Sequence, residues 1–187
     1  MVKKCIQHNR FLKSVSVSPQ TGITYVDQLP LQKVKDYLIV SHDDDDAMIT
    51  GLIDSVCAAL SDATKRPYIP SDIVFYMEVN KADVLLPRLP IASITTVSKR
   101  TGSNTYEDLT SDQYEFLGDS LILEETGIMV VTYSGGYAIG ELPNALEIAA
   151  LAEIAYRYEN RGDKAIAGSF CATADAYIAN YIVPYYI

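Results

Sequence analysis

Histidine and cysteine are scarce in this chain, with two of the first (His8, His42) and three of the second (Cys5, Cys57, Cys171) among 187 residues. The cysteines are far apart, odd in number and form no CxxC pair. That excludes a disulfide framework and leaves no zinc ligand set of the usual spacing. A reducing compartment follows, and Cys57 and Cys171, both in apolar helical contexts, are expected as small buried side chains. No run approaches the roughly 18 to 20 uninterrupted apolar residues of a membrane span, so no membrane association is expected. The opening MVKKCIQHNRFLK is positive but has no apolar stretch behind it, which excludes a secretory signal. Basic charge is short overall: 15 Lys and Arg stand against 24 Asp and Glu, for a net charge of −9. That balance argues against gripping nucleic acid through its phosphates and suits a surface that DNA passes without capture.

What is present reads as a globular α+β protein of one domain with a sizeable insertion, about half apolar and a fifth charged. Residues 1–28 read as an N-terminal arm with Lys3, Lys4, Arg10 and Lys13, in which Val15-Ser16-Val17-Ser18 alternates as a short strand or extended piece. After a turn at Gly22, Leu29-Pro30 opens a helix to Leu38 with Leu31, Val34, Tyr37 and Leu38 on one face. Ser41 or Asp43 caps the next helix. Asp43-Asp44-Asp45-Asp46 sits beside its free amides, and Ile49, Leu52, Ile53, Val56, Leu60 and Ala63 make one stripe up to Pro67. These two helices fill 29–66.

Residues 68–137 change character. Ile73–Met77, Ile94–Val97, Leu121–Leu123 and Ile128–Tyr133 are β-rich runs separated by turn residues, which predicts an antiparallel insertion with a hairpin around Gly102. Helix returns over 142–162. There Leu146, Ala149, Ala152 and Tyr156 belong to a broad, small-residue apolar surface expected to pack against a neighbouring subunit. Glu153 and Arg157 on this helix read as an ordinary surface i,i+4 pair. The expected layout is a small helical bundle with the β insertion between its second and third main helices. One main domain covers 29–170, and a C-terminal helix with a Tyr-rich end covers 171–187.

Catalytic patterns are missing. Asp43–Asp46 could ligate Ca²⁺ or Mg²⁺ in a metal-dependent hydrolase, the remote alternative, but it lacks an EF-hand's glycine turn and distal glutamate. His42 has no nucleophile in a recognisable elbow beside it. Tyr133-Ser134-Gly135-Gly136-Tyr137 lacks the GK[ST] ending of a phosphate loop, and its glycines are expected to turn a strand toward the next helix. No enzyme activity, metal or cofactor is expected. What calls for a partner is the uncharged end AYIANYIVPYYI, the alternative being that it folds back onto the chain's own core. Tyr177, Ile178, Tyr181, Ile182, Tyr185, Tyr186 and Ile187 are anchors of the kind enriched at interfaces.

The order of these pieces resembles the head–tail connector (adaptor) proteins of tailed bacteriophages over roughly Asp27 to Gly162. The likeness rests on a proline-led helix, then Ser41-His42-Asp43-Asp44-Asp45-Asp46 before Ala47-Met48-Ile49-Thr50-Gly51-Leu52-Ile53. Leu86-Pro87-Arg88-Leu89-Pro90-Ile91-Ala92-Ser93-Ile94 follows, then Tyr133-Ser134-Gly135-Gly136-Tyr137, Leu142-Pro143 and Tyr158-Glu159-Asn160-Arg161-Gly162. Leu29-Pro30-Leu31-Gln32 stands where the family opens with Thr-x-x-Glu. The resemblance implies a structural virion protein of the phage neck, assembled in the bacterial host cytoplasm as a ring, commonly twelvefold. Such a ring joins the portal protein to the next neck or tail-completion protein and extends the DNA channel. Another neck or tail-completion protein is the alternative.

Overall fold

The computed structural model describes residues 12–79, 83–161 and 170–183. The chain divides into two compact units, a helical one of Thr21–Pro70 with Tyr137–Val183 and a sheet one built on Ser71–Gly136 with residues 12–20. Helices and antiparallel sheets are both present, so the class is α+β.

The helical unit holds α1 (Tyr25–Gln28), α2 (Leu31–Leu38), α3 (Asp46–Thr64), α4 (Asn144–Glu159) and α5 (Ala172–Ile178). A capping box opens α1, the Thr24 amide donating to Asp27 Oδ2 at 2.7 Å. Pro30 and Pro143 take the N-cap positions of α2 and α4, where a missing N–H removes no helical bond. α3 ends where Lys65 turns left-handed (φ 58°) and Pro67 forbids continuation. Ile49, Ile53, Val56, Cys57 and Leu60 of α3 pack with Leu146, Ala149, Ala150 and Ile154 of α4 in one core. Each fully buried Ile or Leu there contributes about 1.5–3 kcal/mol. Among the described residues α3 alone is long and apolar enough to span a bilayer by length and composition, but this stripe is sealed inside the unit. On α2, Val34 is buried and Leu31 and Leu38 pack on this core as expected, but Tyr37 is exposed and Lys35 is buried instead.

The sheet unit has β1 (Leu12–Pro19), β2 (Ser71–Val79), β3 (Asp83–Leu85), β4 (Ile91–Arg100), β5 (Tyr106–Asp108), β6 (Tyr114–Leu117), β7 (Ser120–Leu123) and β8 (Gly127–Gly135). They form a five-stranded sheet, β1-β2-β8-β4-β5, and a three-stranded one, β3-β7-β6, antiparallel throughout. Alternation turns Ile73, Phe75, Met77 and Val79 of β2 inward with Met129, Val131 and Tyr133 of β8. Val84, Leu121 and Leu123 of the smaller sheet join this second core. The β4–β5 hairpin turns around Gly102. Val15–Ser18 is strand, as expected, within edge strand β1 with Val17 opposite Ile73, and Tyr25 and Val26 pack on the helical core. Residues 12–28 are therefore built into the two units and are no free arm.

Candidate functional site

The motifs behind the resemblance meet one another in pairs. In the sheet unit, a Cβ on Gly135 would lie 2.8 Å from the Pro90 carbonyl oxygen and 2.9 Å from Ile73 Cδ1, so only glycine fits. Gly136 (φ 96°) donates its amide to Pro90 O at 2.9 Å, and the Arg88 amide donates to the Tyr133 hydroxyl at 3.1 Å. Burial raises the Tyr133 phenol well above the ordinary tyrosine range. Tyr133–Gly136 is thus a joint gripping the Leu86–Ile91 segment. In the helical unit, buried Gln28 donates from Nε2 to Tyr68 O (2.7 Å) and Ala138 O (3.2 Å), and its Oε1 accepts from the Gly140 amide (2.7 Å). Nothing in the periodicity marks this glutamine.

The aspartate run does more than face a dipole. Lys35, buried on α2, places Nζ 2.7 Å from Asp43 Oδ1 and 2.6 Å from Asp46 Oδ1. The hydrogen bond Lys35 donates to Asp43, then that to Asp46, raises the Lys35 pKa, and Lys35 lowers that of Asp43. Asp45 Oδ2 accepts from the Tyr158 hydroxyl at 2.5 Å. It also lies 3.7 Å from Arg161 Nη1, whose guanidinium sits 4.2 Å over the Tyr158 ring. Asp43 and Asp44 are both exposed, and Asp44 has no lysine, arginine or tyrosine partner among the described residues. The N-cap is Asp45, without a side-chain cap bond, so capping by Ser41 or Asp43 is corrected. Asp43 and Asp46 thus share Lys35 while Asp45 turns to Tyr158 and Arg161, and among the described residues no three His, Cys, Asp or Glu side chains gather as a metal site. His42 is exposed, with Nδ1 4.0 Å from Asp44.

The expected subunit-packing residues separate. Leu146 and Ala149 are fully buried in this chain's own core and are corrected, being out of a neighbour's reach. Ala152 is half-buried and Tyr156 exposed, so these two remain available. Glu153 is no surface residue: almost wholly buried, it accepts from Arg157 Nε at 2.8 Å and from the Cys171 amide at 2.7 Å, which pins the start of α5 to α4. Cys57 is buried, and burial with nearby Asp54 pushes its thiol up to about 12. Cys171 is half-buried and caps α5.

The C-terminal anchors also separate. Ile178 is buried and so is not free for a partner as expected, while Tyr181 packs against the helical core and is half-buried. The Arg66 Nε donates to Tyr181 O at 2.8 Å, its guanidinium lies 6.0 Å from the Tyr181 ring, and the Val183 amide donates to Thr64 O at 3.2 Å. Tyr177 and Ile182 are exposed, while Tyr185, Tyr186 and Ile187 lie outside the described residues. The unit exposes three further large apolar side chains: Tyr37, which periodicity placed on the apolar face of α2, and Ile139 and Ile39 (91% exposed), which it did not single out.

No family model matches the sequence, and no curated protein matches it. Among solved structures, a chain in the neck of an empty gene transfer agent (GTA) particle computed with C6 symmetry superposes with TM-score 0.73 at 18% identity. The match covers 92% of this chain and 97% of that one. A chain of the virion of a native GTA particle gives TM-score 0.68 at 18% identity, covering 91% and 97%. One from the neck of a native GTA particle computed with C12 symmetry gives 0.68 at 17%, covering 92% and 97%. The fold is therefore that of chains found in such necks, over nearly the whole length of both.

Proposed function

We propose that this chain is a structural protein of the neck of a tailed, phage-like particle, forming a ring that joins the portal to the next neck or tail-completion component and extends the DNA channel. The observation carrying this reading is the near end-to-end likeness to chains of GTA particle necks computed with C6 and C12 symmetry. The functional residues do recognition and sealing. A closed ring needs two different complementary faces per subunit, and Ala152 and Tyr156 are offered for one of them. The carboxylate-rich chain, at −9, lets DNA pass without capture.

The C-terminal segment is the proposed contact with the portal or a neighbouring subunit, through Tyr177, Ile182, Tyr185, Tyr186 and Ile187. Arg66 and Thr64 hold its root, so the docking residues begin from a fixed point. If about 400 Å² of apolar surface is covered, the gross gain is on the order of 10 kcal/mol before ordering costs. Two truncations test this. Ending the chain after Val183 is expected to leave folding intact and abolish docking to portal rings. Ending it after Ala176 removes Ile178 and Val183 from the core and is expected to impair folding too. Normal docking after the Val183 truncation would rule out Tyr185, Tyr186 and Ile187 as the anchor.

A further inference from the structure

Ile39 is an anomaly on two counts. It takes the left-handed conformation (φ 59°) after α2, where a β-branched side chain is strained and Gly or Asn is the usual occupant. Its side chain is also almost wholly in solvent, where it contributes nothing to this chain's core. Tyr37 stands exposed two residues earlier, and Asp36, Asp43 and Asp44, all within five residues of Ile39 along the chain, are exposed too. Lys35 offsets Asp43, and Gln32 donates to Asp36 at 2.7 Å, so among the described residues no lysine or arginine compensates the charge of Asp36 or Asp44. The result is an apolar knob rimmed by carboxylates, which calls for a basic, apolar partner.

The chain itself carries such a partner. Residues 1–13 hold four of its 15 basic side chains, Lys3, Lys4, Arg10 and Lys13, and no carboxylate. The remainder therefore sets 11 basic against 24 acidic side chains, a net of −13. Ile6 and Phe11 alternate with the basic residues. We propose that residues 1–11 of one copy dock on the Tyr37–Asp44 surface of its neighbour, apolar side chains against Ile39 and Tyr37 and Lys3 and Lys4 against Asp36 and Asp44. This rests on the ring assembly above and supplies one heterologous contact of it, since donor and acceptor surfaces differ. Opposite charges at such a rim steer encounter and set register.

Native Cys5 makes the docking measurable, because Cys57 is buried and Cys171 can be changed to Ser while keeping a capping acceptor. One full-length preparation carries Ser41→Cys with Cys5→Ser, the other keeps Cys5 and Ser41, and both carry Cys171→Ser. They are mixed, assembled and treated with a short bismaleimide. The expected product is a cross-link between Cys5 of one preparation and the thiol introduced at position 41 of the other. Tyr37→Ser/Ile39→Asp in the acceptor should lower its yield about tenfold, as should Lys3→Glu/Lys4→Glu in the donor, equivalent to roughly 1.4 kcal/mol. Asp36→Lys/Asp44→Lys in the acceptor should restore the yield with the Glu donor. Assembled rings without the cross-link would overturn the docking and leave the ring intact. A segment held instead by duplex DNA would give no link and a salt-dependent DNA shift lost in Lys3→Glu/Lys4→Glu, which also overturns it. Mass photometry reports separately whether rings form; their absence overturns ring and docking together.

Discussion

The same substitution, glycine to alanine, should have opposite effects at two positions. In α3, nothing lies within 4 Å of the Cβ that Gly51→Ala would add. Alanine there removes glycine's backbone entropy cost and should stabilise the protein by about 0.5–1 kcal/mol. At Gly135 the added Cβ meets the Pro90 carbonyl oxygen at 2.8 Å and Ile73 Cδ1 at 2.9 Å. One obstacle is backbone, fixed in place by the Gly136 amide that donates to the same oxygen. Relief requires β8 to move from the segment between Arg88 and Ile91, so Gly135→Ala should cost about 1–3 kcal/mol. For a chain of this size the pair should split in melting temperature by roughly 2–4 °C per kcal/mol. Denaturant titrations followed by helix and tyrosine signals would read both. Shifts of the same sign, or no loss at Gly135, would refute the view that Tyr133–Gly136 is a packed joint.

Asp43→Asn should cost stability at neutral pH and progressively less in acid. Lys35 lowers the native pKa of Asp43, so its contribution is present above the ordinary carboxylate value near about 4 and fades as pH falls through the native one; paired denaturation curves across that range would show it. Tyr68→Phe should be neutral or stabilising by up to about 1 kcal/mol in a urea titration, because the buried Tyr68 hydroxyl has no hydrogen-bond partner among the described residues. Asp45→Ala should lower the thermal midpoint by removing the acceptor of the Tyr158 hydroxyl, while Asp44→Ala, at an exposed site, should leave it unchanged.

Much of the architecture was legible in the sequence because periodicity and punctuation agree there. Proline before α2 and α4, the stripe of α3 and the alternation of β2 and β8 each state one preference. The interfaces were harder to read, since burial inside a chain and burial between chains leave the same apolar signature. Leu146 and Ala149 turned out to fill their own core, as did Ile178. Polar residues misled in the opposite direction. Lys35 reads as solvent-facing, yet Asp43 and Asp46, 8 and 11 residues on, make its burial tolerable. Glu153 and Gln28 are buried for the same reason: their partners at Cys171, Tyr68, Ala138 and Gly140 are distant in sequence and carry no local pattern. Ile39 could have been noticed only by asking why a β-branched residue ends a helix.

Native mass spectrometry of the full-length chain, mixed with the portal protein of the same particle, tests the central proposal most directly. A neck protein should appear as a closed assembly on the portal with a copy number that is a multiple of six, matching the symmetries of the neighbouring structures. A chain that stays monomeric and leaves the portal bare would contradict the account.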